Sequence, residues 1–436
     1  MRVLSGDRLP YVDNLVNLLV VDDPLGVSEQ EMMRVVRPLG ATLIRDGDTW
    51  KKIVKPWPDT LDEWPQHFYG ADNNAVAKDK KVGPPRHLQW KAGPTFTRDH
   101  DSLASVSAVT SSNGRIFYIL DEGDISLIHR PSKWRLIARD AFNGKLLWKR
   151  DISRWITQLA NFRAGPAQMP RRLVSVGDRV FVTLGLDAPV TMLDAVTGKI
   201  LHTFPDSAKT EEILVHRDML LAVVGDPNVL TDAVANVDGF WQIEARNVKP
   251  VRRKILAFDL ESGEEVWSAD DDATAGYTGL SLTAHQDQVC YLNGAQLHCR
   301  ELTSGKERWR TDFPFRGSFL LNYTPTVVAH DDVVLCLTYK QLCAFSSDSG
   351  EKLWEQKGAV GFGSAGDLFV IDGLVWTIPM VRFGAAVVWN RKTDFLGEAG
   401  SELVRQISRF HPASLALVDM SEFNLFRTEM ECRQGF

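Results

Sequence analysis

Ala138-Arg139-Asp140-Ala141-Phe142-Asn143-Gly144-Lys145-Leu146-Leu147-Trp148 is the stretch that decides the fold. An apolar run ends on an acid, the chain reverses at a glycine four places on, and an indole follows after four more. Glycine enters positive φ without the Cβ clash an L side chain meets, so it marks the reversal of a hairpin. The carboxylate before it is placed to accept the turn's backbone N–H groups. Trp148 then returns on an outer strand, where its apolar surface seals one sheet against the next, a contribution of about 2–3 kcal/mol by area.

The phrase recurs at Asp194/Gly198/His202, Asp259/Gly263/Trp267, Glu301/Gly305/Trp309 and Ser346/Gly350/Trp354. The five glycines stand 54, 65, 42 and 45 residues apart, which gives a basic unit of ~40–45 residues with insertions in two copies. Strand-like flanks at that period predict a mainly β chain: a β-propeller of four-stranded antiparallel blades. From residue 86 onward there is room for roughly seven or eight units, of which five are legible. Gly114 to Tyr118 opens the first, and Asp367 to Pro379 with Val387-Val388-Trp389 reads as a degenerate sixth. Beyond Glu398 the pattern stops.

Residues 1–45 carry no such phrase and read as α/β: a strand from Leu15 to Val21, a helix from Ser28 to Arg37, and a strand from Ala41 to Ile44. Ser28 followed by Glu31 is a capping box that fixes the helix start. Residues 46–95 hold Trp50, Trp57, Trp64 and Trp90 among Pro56, Pro58, Pro65, Pro84 and Pro85. That proline density predicts a linker, packed along the propeller's side because exposed indoles are costly. The expected organisation is therefore 1–45, linker 46–95, propeller 96–398 and an atypical tail 399–436.

Ala138-x-Asp140-x-x-x-Gly144-Lys145-x-x-Trp148 and Ala257-x-Asp259-x-x-x-Gly263-Glu264-x-x-Trp267 resemble the tryptophan-docking repeat of the pyrroloquinoline-quinone-like propellers. The second copy keeps Thr197-Gly198-Lys199 but has His202 for the indole, and the fourth opens with Cys299. The resemblance spans about residues 86 to 380 and implies the fold. Its dehydrogenase members stack the quinone between a Trp and an adjacent-cysteine disulfide beside calcium, and no two cysteines are adjacent here. Leu9-Pro10-Tyr11-Val12-Asp13-Asn14 with Met33 to Gly40 resembles the later portion of class I S-adenosylmethionine-dependent methyltransferases. Asn17 and Leu39 stand where that family often has Asp and Gly, and its glycine-rich cofactor loop is absent, so a remnant is expected.

Composition narrows the partners. A formal charge of −6 with no basic stretch argues against nucleic acid. No apolar run reaches the ~18–20 residues of a membrane helix. No signal-peptide h-region follows Met1; the propeller resemblance leaves the periplasm or cell envelope open should the native start lie upstream, and the compartment is left open. The five cysteines include Cys290/Cys299 and Cys336/Cys343 in successive hairpins, which read as buried thiols on blade strands.

The remaining candidates are weak. Gly361-Phe362-Gly363-Ser364-Ala365-Gly366 precedes a strand, not a helix able to hold a pyrophosphate, and reads as a loop between blades. Asp270-Asp271-Asp272 does not have calcium-loop spacing and reads as a solvated turn. Among the ten histidines no zinc pattern occurs. Asp99, His100 and Asp101, beside Arg98, are the densest acid–base set and the only catalytic candidates. The leading expectation is a non-catalytic scaffold with no cofactor that binds protein or a small ligand on one propeller face. The alternative is an oxidoreductase using pyrroloquinoline quinone and calcium, and a weaker third is part of a methyltransferase–propeller fusion.

Overall fold

The computed structural model describes residues 7–23, 26–81, 88–93, 106–126, 130–155, 169–226, 251–314, 325–338, 341–357, 368–377 and 387–390. It is a β-propeller of four-stranded antiparallel blades, each following the chain as a meander. The first blade comprises β4 (Val106–Ser112), β5 (Arg115–Asp121), β6 (Trp134–Asp140) and β7 (Leu146–Asp151). The second is β8 (Leu173–Val176), β9 (Arg179–Thr183), β10 (Val190–Asp194) and β11 (Ile200–Phe204). The third is β12 (Thr210–His216), β13 (Met219–Val224), β14 (Lys254–Asp259) and β15 (Glu265–Ala269). The fourth is β16 (Thr283–His285), β17 (Gln288–Leu292), β18 (Gln296–Glu301) and β19 (Glu307–Asp312). The fifth is β20 (Thr326–His330), β21 (Val333–Leu337), β22 (Gln341–Ser346) and β23 (Lys352–Lys357). A sixth sheet has three described strands, β24 (Leu368–Ile371), β25 (Leu374–Thr377) and β26 (Val387–Asn390).

By compactness the chain forms two units. One is Met1–His67, Ala77–Gly165 and Arg172–Asp206; the other is Phe68–Val76, Pro166–Arg171 and Ser207–Phe436. The first holds blades one and two with the N-terminal sheet, the second holds the later blades. In the second unit the middle strands are buried on both faces: all five residues of β17 and of β21 are out of solvent. Such strands read as near-continuous apolar runs because a neighbouring sheet covers each side. Trp267 lies with Leu282, Val289 and Tyr291 in one core, Trp309 with Val327, Val334 and Phe345 in the next, and Trp354 with Leu368, Val370 and Val375 in a third.

The N-terminal segment is a three-stranded sheet of β1 (Val16–Val21), β2 (Val36–Asp46) and β3 (Thr49–Val54), with α1 (Glu29–Val35) between the first two. β1 and β2 are parallel and β3 returns antiparallel to β2. Ser28 caps α1, its hydroxyl accepting from Glu31 N at 3.2 Å. The helix stops at Val35, shorter than the sequence predicts, because Pro38 disfavours a helical Arg37 and the β-branched pair Val35-Val36 enters strand easily. The sheet also outruns the expected boundary at residue 45: β3, with Trp50, lies in what reads from sequence as linker.

Candidate functional site

In the repeat phrase the acid folds the turn. Asp140 Oδ1 accepts from Phe142 N (3.0 Å) and Asn143 N (3.2 Å), Asp194 Oδ1 from Thr197 N (2.7 Å), and Asp259 Oδ1 from Glu261 N (3.0 Å) and Ser262 N (2.7 Å). Hydrogen bonds to the charged form hold the carboxyls of Asp194 and Asp259 below their ordinary range. Glu301 accepts from Ser304 Oγ, and Ser346 receives Gly350 N on its carbonyl at 2.9 Å. Gly144, Gly198, Gly263, Gly305 and Gly350 have φ of +72, +69, +75, +68 and +71°.

The indoles dock one copy ahead. Trp148 covers Gly198, Trp267 covers Gly305 and Trp309 covers Gly350, so that a Cβ on Gly198 or Gly305 would lie 2.6 Å from the ring. Each indole N–H then donates to the carbonyl just after the acid position: Trp148 to Ala195 O (3.0 Å), Trp267 to Leu302 O (2.8 Å) and Trp309 to Ser347 O (2.7 Å). Trp354 is buried in the core shared by β22 and β24. The glycine is therefore required twice, for its φ and for the ring above it. Trp90, from the supposed linker, does the same for the first copy: it covers Gly144 and donates to Ala141 O at 2.8 Å. No glycine precedes Trp90 by four places, so the repeat phrase could not reveal it.

Two further braces recur. Arg139 Nε donates to Tyr118 Oη (2.8 Å) and its Nη1 to Gly144 O (2.8 Å); Arg300 Nε donates to Tyr291 Oη (2.9 Å) and its Nη1 to Gly305 O (3.0 Å). The sequence signal is an Arg directly before the acid. Asp140 also anchors the N-terminal sheet, meeting Arg37 Nε and Asn17 Nδ2 at 2.6 Å each while only 1% exposed. Asn143 Nδ2 completes the junction on Leu15 O (2.9 Å) and Asn17 Oδ1 (2.6 Å). Leu39 takes φ +60°, a conformation that favours glycine.

Residues 63–74 form a strap bonded in each unit to first strands of blades, and at β4, β8, β16, β20 and β24 the bond falls one residue before the strand's end. In the first unit Ser111 N donates to Trp64 O (2.8 Å) and Ser175 N to Pro65 O (2.9 Å). In the second, Ala284 N donates to Ala71 O (2.7 Å), Ala329 N to Asp72 O (3.0 Å) and Val370 N to Asn74 Oδ1 (2.9 Å). The physical reason is that a first strand has an edge of unpaired N–H groups, and this turn-rich segment, with Tyr69 and Asn73 at positive φ, presents carbonyl acceptors to it.

The strap is locked in the second unit by buried polar groups. Asn73 Nδ2 donates to Leu282 O and Val327 O at 2.9 Å each, and Asn74 Nδ2 to Val370 O at 2.9 Å. Asn73 Oδ1 accepts from Arg171 Nη2 at 2.5 Å, and Arg171 Nη1 donates to Leu282 O at 3.0 Å. Glu212 lies 3.7 Å from Arg171 and accepts from Tyr277 Oη (3.0 Å) and Leu280 N (2.7 Å). Burial pushes the Glu212 carboxyl up against the opposing pull of Arg171, and pushes the Tyr277 phenol well up. Nothing in the spacing of these residues points to one another; only folding brings them together.

Asp99, His100 and Asp101, the Gly361–Gly366 loop, the insertion around 226–249 beyond Asp226, and the tail from 391 lie outside the described residues. Asp270, Asp271 and Asp272 are all exposed, as the solvated reading expects, and each also has a local partner. Asp271 caps the short helix α2 (Asp272–Ala275) and pairs with Arg300 Nη2 at 2.5 Å, while Asp270 pairs with Arg252 at 2.9 Å. Cys290, Cys299, Cys336 and Cys343 are free and buried, facing one another in pairs across β17–β18 and β21–β22. Burial pushes the Cys336 thiol well up and the Cys343 thiol to about 12, disfavouring the thiolate. Among the described residues no group of three or more His, Cys, Asp or Glu converges on a metal position. No helix among them is long and apolar enough to cross a membrane, which leaves strand-built membrane proteins untouched.

Residues 251–375 match the family model described as outer membrane protein assembly factor BamB. The blades are built from pyrroloquinoline-quinone-like repeats. Similar solved structures include a europium-containing methanol dehydrogenase, 11% identical over 77% of this chain and 77% of that one, with a TM-score of 0.49. BamB from Moraxella catarrhalis is 13% identical over 63% of this chain and 77% of its own, with a TM-score of 0.35. Quinohemoprotein alcohol dehydrogenase from Comamonas testosteroni is 11% identical over 73% of this chain and 58% of its own, with a TM-score of 0.44. None of the three likenesses bears on function. No curated protein matches the sequence.

Proposed function

We propose that this chain is a non-catalytic binding or assembly scaffold whose partner is a protein. The observation that carries the reading is the strap: the edge amides of β16, β20 and β24 are bonded to residues 71–74 of the chain itself. An enzyme of this repeat type needs its innermost surface open for a planar quinone and a cation. Here Asn73, Asn74 and Arg171 fill hydrogen bonds with one another and with blade carbonyls, and the cysteines lie in blade cores, so the residues present do not fit that cofactor. The match of residues 251–375 to an assembly-factor family supports a protein partner. The N-terminal sheet fits the same reading, because Asn17 is engaged by the turn of the first blade instead of facing a ligand.

The test is direct. Full-length protein titrated with pyrroloquinoline quinone and calcium is expected to give no saturable heat and no dye reduction with alcohols or sugars. Quinone-dependent turnover by the wild-type chain would overturn the scaffold reading in favour of the oxidoreductase. A saturable heat with S-adenosylmethionine would instead revive methyl transfer.

A further inference from the structure

The second unit carries a feature the first does not: the innermost strands β12, β16 and β20 each end on a histidine, His216, His285 and His330. Each is followed by a residue in the left-handed region, Arg217 (φ 51°), Gln286 (φ 51°) and Asp331 (φ 49°), and then by Asp218, Asp287 or Asp332. The backbone carbonyls of those three aspartates accept from Leu260, Leu302 and Ser347 N, so the turn is fixed in every copy. The histidines are therefore held at one level of the rim. They directly follow the strap-bound amides of Ala284 and Ala329 in two of the three blades.

Two of the rings meet there. His285 and His330 stack with centroids 6.4 Å apart and planes 26° from parallel. His216 Nε2 is 2.9 Å from Gln286 O, in the turn next to His285. His285 Nε2 is buried and has no hydrogen-bond partner. Burial is the main cause that lowers the proton affinity of His216 and His285 below the ordinary imidazole. His285 is lowered further by His330 and His216. The acids facing the group are Asp72 of the strap, Asp331, whose Oδ2 is 3.8 Å from His330, and Asp287, which is engaged by Arg217. Asp72 and Asp331 thus face three imidazoles.

We propose that His216 and His285, with His330 stacked on His285, make the strap a proton-released clasp, closed on the fourth and fifth blades in neutral solution and lifted in acid to bare the amides of Ala284 and Ala329. The sign follows from the lowered proton affinity of the half-buried His216 and His285. A group whose proton affinity is lower folded than unfolded stabilises the closed form above its unfolded pKa, and that stability is lost as the pH falls below it. For histidine the unfolded value is about 6.5. A proton on either ring enters a half-buried site next to other imidazoles. The inference is independent of the scaffold reading.

Hydrogen exchange of the full chain, corrected for intrinsic rates, tests it at pH 7.5 and pH 5.5. Protection of the Ala284 and Ala329 amides is expected to fall by at least about tenfold at the lower pH, one pKa unit's worth of linkage. Ser111 and Ser175, whose strands end on Ser112 and Val176, are expected to keep theirs. The double variant His216→Gln/His285→Gln is expected to remove most of the pH dependence. Unchanged protection in the wild type, or an equal fall in the double variant, overturns the proposal. Ring titration of the wild type by NMR is a second readout that needs no variant: His216 and His285 titrating below the free imidazole supports the clasp, and titration at or above it overturns the clasp.

Discussion

The strap meets the two units by different means, although the blades it lines are built alike. In the first unit the contact is largely backbone: Trp64 and Pro65 offer carbonyls to Ser111 and Ser175, and Glu63 accepts from Gly114 N at 3.0 Å. In the second, buried side chains are added to the backbone bonds of Ala71 and Asp72, with Asn73 serving two blade carbonyls and Arg171 at once. A backbone acceptor survives most substitutions of its own side chain. A buried amide that satisfies three partners does not, since each orphaned group keeps its desolvation cost. The two units should therefore respond unequally to mutation, and unit-resolved hydrogen exchange on the full chain can measure it.

The largest effect tests whether blade docking or the strap dominates the second unit. Trp309→Ala removes a buried indole and its bond to Ser347 O; the expected loss is about 3–5 kcal/mol, read as a fall in denaturation midpoint. Asn73→Ala is expected to cost about 2–4 kcal/mol, with protection lost at the strap-bound amides of Ala284 and Ala329 before any change at Ser175. Equal loss in both units would break the contrast. Gly305→Ala forces a Cβ toward Trp267 at φ +68°; about 1–3 kcal/mol is expected, and pairing it with Trp267→Ala should recover part of that cost. Pro65→Ala is expected to change stability by less than about 1 kcal/mol, since the carbonyl that binds Ser175 N remains. A large effect there would mean that the strap's stiffness, not its acceptors, holds the first unit.

The same contrast extends to docking. Trp148, Trp267 and Trp309 each cap the next copy's glycine, whereas the second copy presents His202, which packs edge-on to Phe204 at 4.6 Å. Imidazole offers less apolar area than indole, so the second copy's own contribution to burial is the smaller.

Much of the blade architecture was readable because its determinants are local. Glycine reverses the chain, the acid four places earlier accepts the turn's amides, and strand patterning flanks both. The sixth sheet was also legible, from Asp367 to Trp389, without any docking phrase. Trp90 escaped notice because its partner Gly144 is 54 residues away, with no glycine before it to complete the pattern. Residues 63–74 looked like linker because proline density reports what a segment cannot pair with, not what can pair with it. The acid–base set at Asp99, His100 and Asp101 was singled out by density alone, whereas the polar groups the fold gathers, Asn73, Arg171, Glu212 and Tyr277, are scattered over some two hundred residues.

By itself the sequence determined the repeat: its period, its turns, its indoles and the kind of sheet they make, all consequences of φ preference and side-chain area within a dozen residues. Only the tertiary structure decided what occupies the innermost strand edges and what stands at their ends. Those edges belong to different blades, and a segment satisfies them only after the blades have been brought together. Hydrogen-bond complementarity across such distances leaves no periodic trace in the chain.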